Sequence, residues 1–221
     1  MVKSPSHDWQ RPATPIESQE HSTQIALFGT SADPPTVGHQ RILAALAQRF
    51  DQVVVWASDN PFKQGQTPLC HRQAMLKRLV TELQTQYPNV SLYPHLSDSK
   101  TLRTVERAQQ HWPHASFTLV VGSDILASLL HWYRVEELLC QVQLLVVPRP
   151  GSQIEAGALT GLQQQGAQVA IADFSGPAVS SSAYRAAGDL DQIPPTIAAY
   201  IKQQGLYPWA DCNSTPLMPP A

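Results

Sequence analysis

The chain has 221 residues, with 15 basic and 17 acidic side chains and a formal net charge of −2 at pH 7. This near-neutral balance gives no global field that would favour nucleic acid or an anionic membrane as a partner. Three cysteines without a C-x-x-C pair argue against a disulfide framework and a structural zinc site. No apolar run reaches the roughly 18 residues of a membrane span. Since Met1–Thr23 lacks the character of a signal or transit peptide, we expect a cytoplasmic protein.

Proline residues punctuate both ends of the chain, and neither end shows apolar periodicity. We therefore predict mobile tails at residues 1–23 and 208–221. Between them lie neither a repeat of fixed period nor a long linker, so residues 24–207 are expected to form a single domain.

Inside that span, short apolar runs of strand length alternate with helical patterns. The predicted strands are Ile25–Phe28, Val53–Trp56, Val90–Leu92, Phe117–Val121, Leu144–Val147 and Val169–Ile171. The predicted helices are Gln40–Phe50, Leu69–Leu83, Leu102–Gln110 and a broken pair, Ile125–Leu130 with Val135–Leu139. This alternation predicts an α/β fold, a doubly wound and mostly parallel sheet in a Rossmann-like three-layer α/β/α arrangement. Such sheets bind ligands at the carboxyl ends of their strands, where the strand order reverses.

The loop after the first strand carries the first candidate site. It reads GTSADPPTVGH from Gly29 to His39 and contains neither a dinucleotide fingerprint nor a P-loop. Thr36 is placed as the N-cap of the next helix, and Gly38 allows a ligand close to its first turn. A helix start offers free N–H groups and the positive end of a dipole, so these residues would face an anion. His39 adds a directed donor for a phosphoryl oxygen; the alternative is a plain helix cap beside a surface histidine.

The segment Ile25–His39 resembles the phosphate-binding signature of the nucleotidylyltransferase superfamily, (H/T)-x-G-H after the first strand. The resemblance implies that Thr36, Gly38 and His39 contact the triphosphate of ATP, with Gly29 and Thr30 in the same binding site. The family usually has G-G-T-F-D-P before this motif. Here the corresponding residues are GTSADP, so that Thr30 replaces the second glycine and alanine replaces an aromatic residue.

A second block, Val120–Gly151, resembles the G-x-D-x-L…W…RPG stretch of the nicotinate-mononucleotide adenylyltransferase family. The resemblance implies that Gly122 and Asp124 lie beside the adenosine or its ribose, and that Trp132 stacks on the pyridine ring. The chemistry agrees, because a carboxylate accepts hydrogen bonds from a ribose diol and an indole face holds a pyridinium cation. The alternative for Trp132 is a core aromatic residue beneath a helix.

A third block, Val179–Leu190, resembles the I-S-S-T-x-I-R element of the same family. One serine of Ser180, Ser181 and Ser182 would cap a short helix and leave N–H groups for phosphate. The planar guanidinium of Arg185 suits phosphate oxygens. The stretch Ile193–Tyr207 resembles the family's closing helix, with a glycine at its C-cap.

Weaker resemblances concern the second substrate. Lys63 lies in a loop similar to the family's N-P…H/K loop and could neutralise a phosphate, although loop lysines are more often solvated. Thr101 corresponds to an element near the pyridine carboxylate in the family. Arg103 is a nearby cation that could serve that carboxylate. These three residues and Trp132 are the candidate substrate-binding residues.

Taken together, the resemblances imply an adenylyltransferase that joins ATP and nicotinate mononucleotide to give deamido-NAD and pyrophosphate in NAD biosynthesis. His39 would stabilise the transition state, with Thr36 and Arg185 holding the β- and γ-phosphates. Mg²⁺ would be carried on the ATP phosphates rather than by a metal site of the protein. The alternatives are transfer to nicotinamide mononucleotide or phosphopantetheine, a fragment of a class I aminoacyl-tRNA synthetase, and a catalytically silent nucleotide sensor. Pyrophosphate release in the presence of each substrate discriminates among them.

Overall fold

The computed structural model describes residues 22–60 and 63–207. The predicted tails therefore lie outside the described residues, apart from Ser22 and Thr23, and so do two residues of the loop before Lys63. No helix in the described ranges combines the length and the apolar character needed to cross a bilayer.

Six strands form a single sheet in which every neighbouring pair is parallel. They are β1 (Gln24–Thr30), β2 (Gln52–Ala57), β3 (Val90–Leu92), β4 (Ser116–Gly122), β5 (Gln143–Val147) and β6 (Gln168–Ile171). The order β3-β2-β1-β4-β5-β6 confirms the predicted doubly wound fold. The strand order reverses between β1 and β4, and in sheets of this type a crevice lies beyond the carboxyl ends of the two strands at the reversal.

Eight α-helices cover the two faces of the sheet in the described part of the chain. They are α1 (Val37–Ala47), α2 (Leu69–Gln84), α3 (Thr101–His111), α4 (Leu126–Leu129), α5 (Val135–Gln141), α6 (Ala156–Gln164), α7 (Ser181–Ala187) and α8 (Pro195–Gln204). Apolar side chains of α3, α4, α5 and α6 form one core with the sheet, and those of α1, α2, α7 and α8 form the other. The central strands β1, β2 and β4 are therefore buried from both sides, as a parallel sheet requires, whereas the edge strand β6 is largely exposed.

The predicted helices differ from the observed ones in three places. Helix α1 begins and ends three residues earlier than predicted. It begins at Val37 because Thr36 is its N-cap. Helix α6 was not predicted; it contains two glycines, and only Ala158 and Leu162 of its side chains are buried. Helix α8 is shorter than the predicted span, since Pro194 precedes it and Gly205 ends it in the left-handed conformation.

A buried arginine holds together the loops that follow β1 and β2. Arg72, in the first turn of α2, is 2% exposed. Its guanidinium donates to the carbonyl oxygens of Ser31 (3.0 Å), Ser58 (2.6 Å) and Thr67 (2.9 Å). Because these carbonyls belong to three separate loop segments, one side chain fixes their relative positions.

We predict that Arg72→Lys lowers the free energy of unfolding by about 3 kcal/mol, because an ammonium group cannot reach three separated carbonyls and leaves buried oxygens without donors. Urea unfolding followed by circular dichroism measures the loss. Arg41→Lys on the exposed side of α1 is the control and should change stability by less than about 0.5 kcal/mol. Equal losses in the two variants would contradict this role for Arg72.

Candidate active site

The imidazole of His39 lies between the end of β1 and the start of α1. Thr36 is the N-cap of α1, as predicted, and its backbone N–H donates to Nδ1 of His39 at 3.0 Å. The Thr36 hydroxyl lies 2.8 Å from the same nitrogen. On the other side of the ring, Nε2 lies 2.8 Å from Oγ1 of Thr30. Both ring nitrogens are therefore engaged by the loop that joins β1 to α1.

These hydrogen bonds determine where the imidazole carries its proton. A backbone N–H can only donate, so Nδ1 of His39 accepts and the ring proton resides on Nε2. Nε2–H then donates to Thr30. Burial, together with the positive charge of Arg149, lowers the pKa of His39 from 6.5 to about 4. The ring is consequently a neutral donor at physiological pH.

The first turn of α1 packs closely against the segment that precedes α7. A Cβ on Gly38 would lie 3.1 Å from a methyl group of Val179 and 3.8 Å from the ring of Pro177. The observed close approach at Gly38 is thus made by the chain itself. It brings the first and third sequence blocks, which are about 140 residues apart, to one place at the edge of the sheet.

Arg185 lies against the same loop as His39. Its guanidinium donates to the carbonyl oxygen of Asp33 at 2.5 Å and forms an ion pair with the Asp33 carboxylate at 3.8 Å. It also donates to the hydroxyl of Ser182 at 3.1 Å. The side chain is 36% exposed. Arg185 is therefore tied to the loop that leads to Thr36 and His39.

The three serines at the start of α7 have three different contacts. Ser180 is the N-cap, and its hydroxyl accepts from the N–H of Ala183 at 3.0 Å. Ser181 donates to the carbonyl of Pro34 at 2.8 Å. Ser182 accepts from Arg185. The predicted capping role is confirmed for Ser180, Ser181 attaches α7 to the loop between β1 and α1, and the Ser182 contact lies within α7.

A cation that we did not predict lies on the opposite side of the crevice. Arg149 follows β5, and its guanidinium forms an ion pair with Asp124, which follows β4. The Arg149 N–H donates to the hydroxyl of Ser123 at 2.9 Å. Arg149 also lines a cavity of about 160 Å³ together with Val179, Ser180 and other residues before α7. Its position just after the carboxyl end of a buried strand, in the RPG element of the second sequence block, was the signal that could have identified it.

The predicted glycines at the strand ends leave room for protein side chains. A Cβ on Gly29 would lie 2.5 Å from the ring of Trp56 on the neighbouring strand. A Cβ on Gly122 would collide with the carboxylate of Asp124. Lys63 lies beside the loop that follows β1, because its ammonium donates to the hydroxyl of Ser31 at 3.0 Å.

The residues expected around the pyridine ring form a second group. Trp132 is half-buried and packs partly on the core beneath α4 and α5. The ammonium of Lys100 lies 4.1 Å from the ring centre of Tyr133, which brings the start of α3 beside the turn that carries Trp132. Thr101 begins α3, and Arg103 is exposed on its first turn.

The donor set of this crevice suits a polyphosphate. The candidate residues offer an imidazole N–H, two guanidinium groups, hydroxyls and the first turn of α1, all of which are groups that bind phosphate oxygens. Among the described residues, no group of three or more His, Cys, Asp or Glu side chains is placed so as to hold a metal ion. The arrangement can neutralise and orient phosphate groups without a covalent intermediate.

Comparison with known sequences points in the same direction. The chain matches the family described as cytidylyltransferase-like over residues 27–187. A relative from Synechocystis, named "Probable nicotinate-nucleotide adenylyltransferase", is 47% identical over 197 residues, which cover 83% of this chain and 98% of the relative. A relative from Bacillus subtilis, named nicotinate-nucleotide adenylyltransferase, is 26% identical with the same two coverages.

Comparison with solved structures shows the same fold. The nicotinic acid mononucleotide adenylyltransferase of Plasmodium falciparum, complexed with NaAD, superimposes with a TM-score of 0.70 at 18% identity, over 84% of this chain and 97% of that chain. The same enzyme complexed with APC gives a TM-score of 0.69 at 19% identity, with the same coverages. The resemblance found in the three sequence blocks is therefore confirmed: the chain belongs to the nicotinate-nucleotide adenylyltransferase family, within the cytidylyltransferase-like group.

Proposed function

We propose that the protein transfers the adenylyl group of ATP to nicotinate mononucleotide, giving deamido-NAD and pyrophosphate. The observation that carries the proposal is the neutral, Nε2-protonated imidazole of His39 in a crevice with Arg149 and Arg185. The names of the relatives at 47% and 26% identity support the reaction. The complexes of the Plasmodium falciparum enzyme with NaAD and APC support a nucleotide in this crevice.

The reaction is a single in-line displacement at phosphorus. A phosphate oxygen of the mononucleotide forms a bond to the α-phosphorus of ATP, and the bond to the oxygen bridging the α- and β-phosphates breaks. Pyrophosphate leaves with the electron pair of that bond. Negative charge builds on the oxygens around the α-phosphorus, so preorganised donors are the main requirement. Mg²⁺ enters with ATP as part of the substrate and neutralises its phosphates.

His39 supplies the donor for the α-phosphate. The N–H and hydroxyl of Thr36 hold Nδ1, which leaves Nε2–H as the group that can donate to a substrate. In the absence of substrate this proton is donated to Thr30. A phosphate oxygen replaces the neutral hydroxyl as acceptor, and the hydrogen bond strengthens as the oxygen gains charge.

The two arginines neutralise the remaining negative charge of the ATP phosphates. Arg185 is assigned to the β- and γ-phosphates, together with the first turn of α1. Arg149 lies on the side of β4 and β5, close enough to His39 to lower its pKa. Asp124, its partner in the ion pair, is 35% exposed and is assigned to the ribose of the nucleotide.

A cytoplasmic location, expected from the sequence, stays a prediction.

We predict that the purified protein with ATP, Mg²⁺ and nicotinate mononucleotide releases pyrophosphate. His39→Ala should lower kcat about a hundredfold or more, because it removes a donor to the transition state. A coupled pyrophosphate assay measures the rate. His114→Ala, which removes an exposed imidazole, is the matched control and should retain the activity of the unaltered protein.

The same assay distinguishes the alternatives. Turnover with nicotinamide mononucleotide alone would assign the amide as substrate. ATP binding without turnover of either mononucleotide would indicate a nucleotide sensor and would contradict the proposed reaction.

The lowered pKa of His39 predicts a specific pH dependence. An unfolded histidine titrates near 6.5, whereas His39 in the folded protein titrates at about 4. Between these values the unfolded chain binds more protons, so acidification from pH 6.5 towards pH 4 destabilises the fold. In NMR spectra, one histidine ring should titrate near pH 4, and its signal should be missing in His39→Asn. A ring at residue 39 that titrates near 6.5 would contradict the neutral donor.

Arg103 is proposed to recognise the carboxylate of the pyridine ring. We predict that the unaltered protein prefers nicotinate over nicotinamide mononucleotide, and that Arg103→Gln lowers the ratio of the two kcat/KM values about tenfold, as expected for one charge-assisted hydrogen bond. Arg41→Gln, on α1, is the matched control and should leave the ratio unchanged. An unchanged ratio in Arg103→Gln would mean that another group binds the carboxylate.

A further inference from the structure

The carboxylate of Asp33 is an unusually buried charge beside the candidate active site. It is 2% exposed and lies three residues before the N-cap of α1. Donors from three distant parts of the chain reach it. The hydroxyl of Tyr207 donates to Oδ1 at 2.7 Å, the N–H of Thr67 approaches Oδ2 at 3.4 Å, and Arg185 pairs with Oδ2 at 3.8 Å.

The shortest of these contacts comes from Tyr207, three residues after the end of α8. Its ring packs edge-to-face on that of Tyr184, with the ring centres 5.8 Å apart, and Tyr184 is 2% exposed. Burial raises the pKa of Tyr207 far above its ordinary value. The phenol is therefore protonated and acts as the donor in its hydrogen bond with Asp33.

The hydrogen bond from Tyr207 affects how strongly the Asp33 carboxylate attracts the guanidinium of Arg185. With Oδ1 satisfied, the carboxylate holds the guanidinium at 3.8 Å, and Arg185 also donates to the Asp33 carbonyl and to Ser182. Without that donor, a buried carboxylate oxygen is left unpaired, which is costly. The guanidinium of Arg185, already 3.8 Å from Oδ2, is one donor able to compensate, and its closer approach to Asp33 would withdraw it from the crevice.

We propose that Tyr207 is a positioning residue for ATP. Its hydroxyl satisfies Oδ1 of Asp33, so that Arg185 and the loop carrying Thr36 and His39 keep the geometry that binds the polyphosphate. The inference deepens the proposed function and rests on it for the identity of the nucleotide. Tyr207 itself touches no substrate and acts through Asp33 and Arg185.

The test is Tyr207→Phe, which removes the hydroxyl and keeps the ring on Tyr184. We expect KM for ATP to rise about tenfold, the effect of one hydrogen bond to a charged group, while KM for nicotinate mononucleotide stays within about twofold. Calorimetry should show the same loss in ATP affinity without the second substrate. Tyr200→Phe is the matched control, since it removes a hydroxyl of α8 that lies 2.9 Å from Nδ1 of His71 and not on Asp33.

Two outcomes would overturn the inference. One is an unchanged KM and Kd for ATP in Tyr207→Phe. The other is a loss of stability, measured by thermal unfolding, with both KM values rising equally, because a purely structural role predicts no preference for ATP.

A double substitution tests the route through the carboxylate. In Asp33→Asn the charge that draws on Arg185 is absent, so adding Tyr207→Phe should no longer raise KM for ATP. If it still raises KM tenfold, the effect bypasses Asp33 and the inference is wrong. Failure of the proposed function is distinguishable, because it would abolish pyrophosphate release in the unaltered protein while the ATP affinities of the variants could still be compared.

Discussion

The hydrogen bond from the backbone N–H of Thr36 to Nδ1 of His39 is the interaction on which the candidate site depends. A main-chain donor cannot reverse its role, so it fixes the tautomer and leaves a single proton on Nε2. It also ties the orientation of the ring to the start of α1. The fold supplies the remaining condition, because burial near Arg149 keeps the imidazole neutral. The backbone at the start of α1 therefore gives the imidazole of His39 both a fixed direction and a defined protonation state.

The site is assembled from segments far apart in the sequence by buried polar contacts rather than by apolar packing alone. Arg72 joins the loops after β1 and β2 through three carbonyls. Ser181 and Arg185 attach α7 to the loop before α1. These polar side chains act as fixed links because breaking any one would leave a buried carbonyl or carboxylate without a donor. These links fix the relative positions of the loops that carry the candidate site residues.

Much of this architecture could be predicted from the sequence. The apolar strands identified the sheet, and the T-x-G-H motif predicted the N-cap at Thr36 correctly, because a cap depends on local residue order. The sequence did not reveal that Thr30 would accept from His39, that Arg149 would face the crevice, or that Arg185 would bind Asp33. Those contacts depend on how separate strand ends meet in space, which local patterns do not encode. Helix α6 was missed for the opposite reason, since its glycines argue locally against a helix that tertiary contacts stabilise.

The two arginines at the crevice differ in how freely they can change partners. Each is paired with a carboxylate, Arg149 with Asp124 and Arg185 with Asp33, so the crevice is nearly neutral before ATP binds. Asp33 is 2% exposed and held by Tyr207, and it cannot leave its arginine without losing buried hydrogen bonds. Asp124 is 35% exposed, and water can replace its partner at little cost. Under the proposed function, the incoming nucleotide would therefore meet one cation with a fixed partner and one with an exchangeable partner. Exchange at Arg149 would release Asp124 for the ribose as the phosphates bind, and would so couple recognition of the sugar to neutralisation of the polyphosphate.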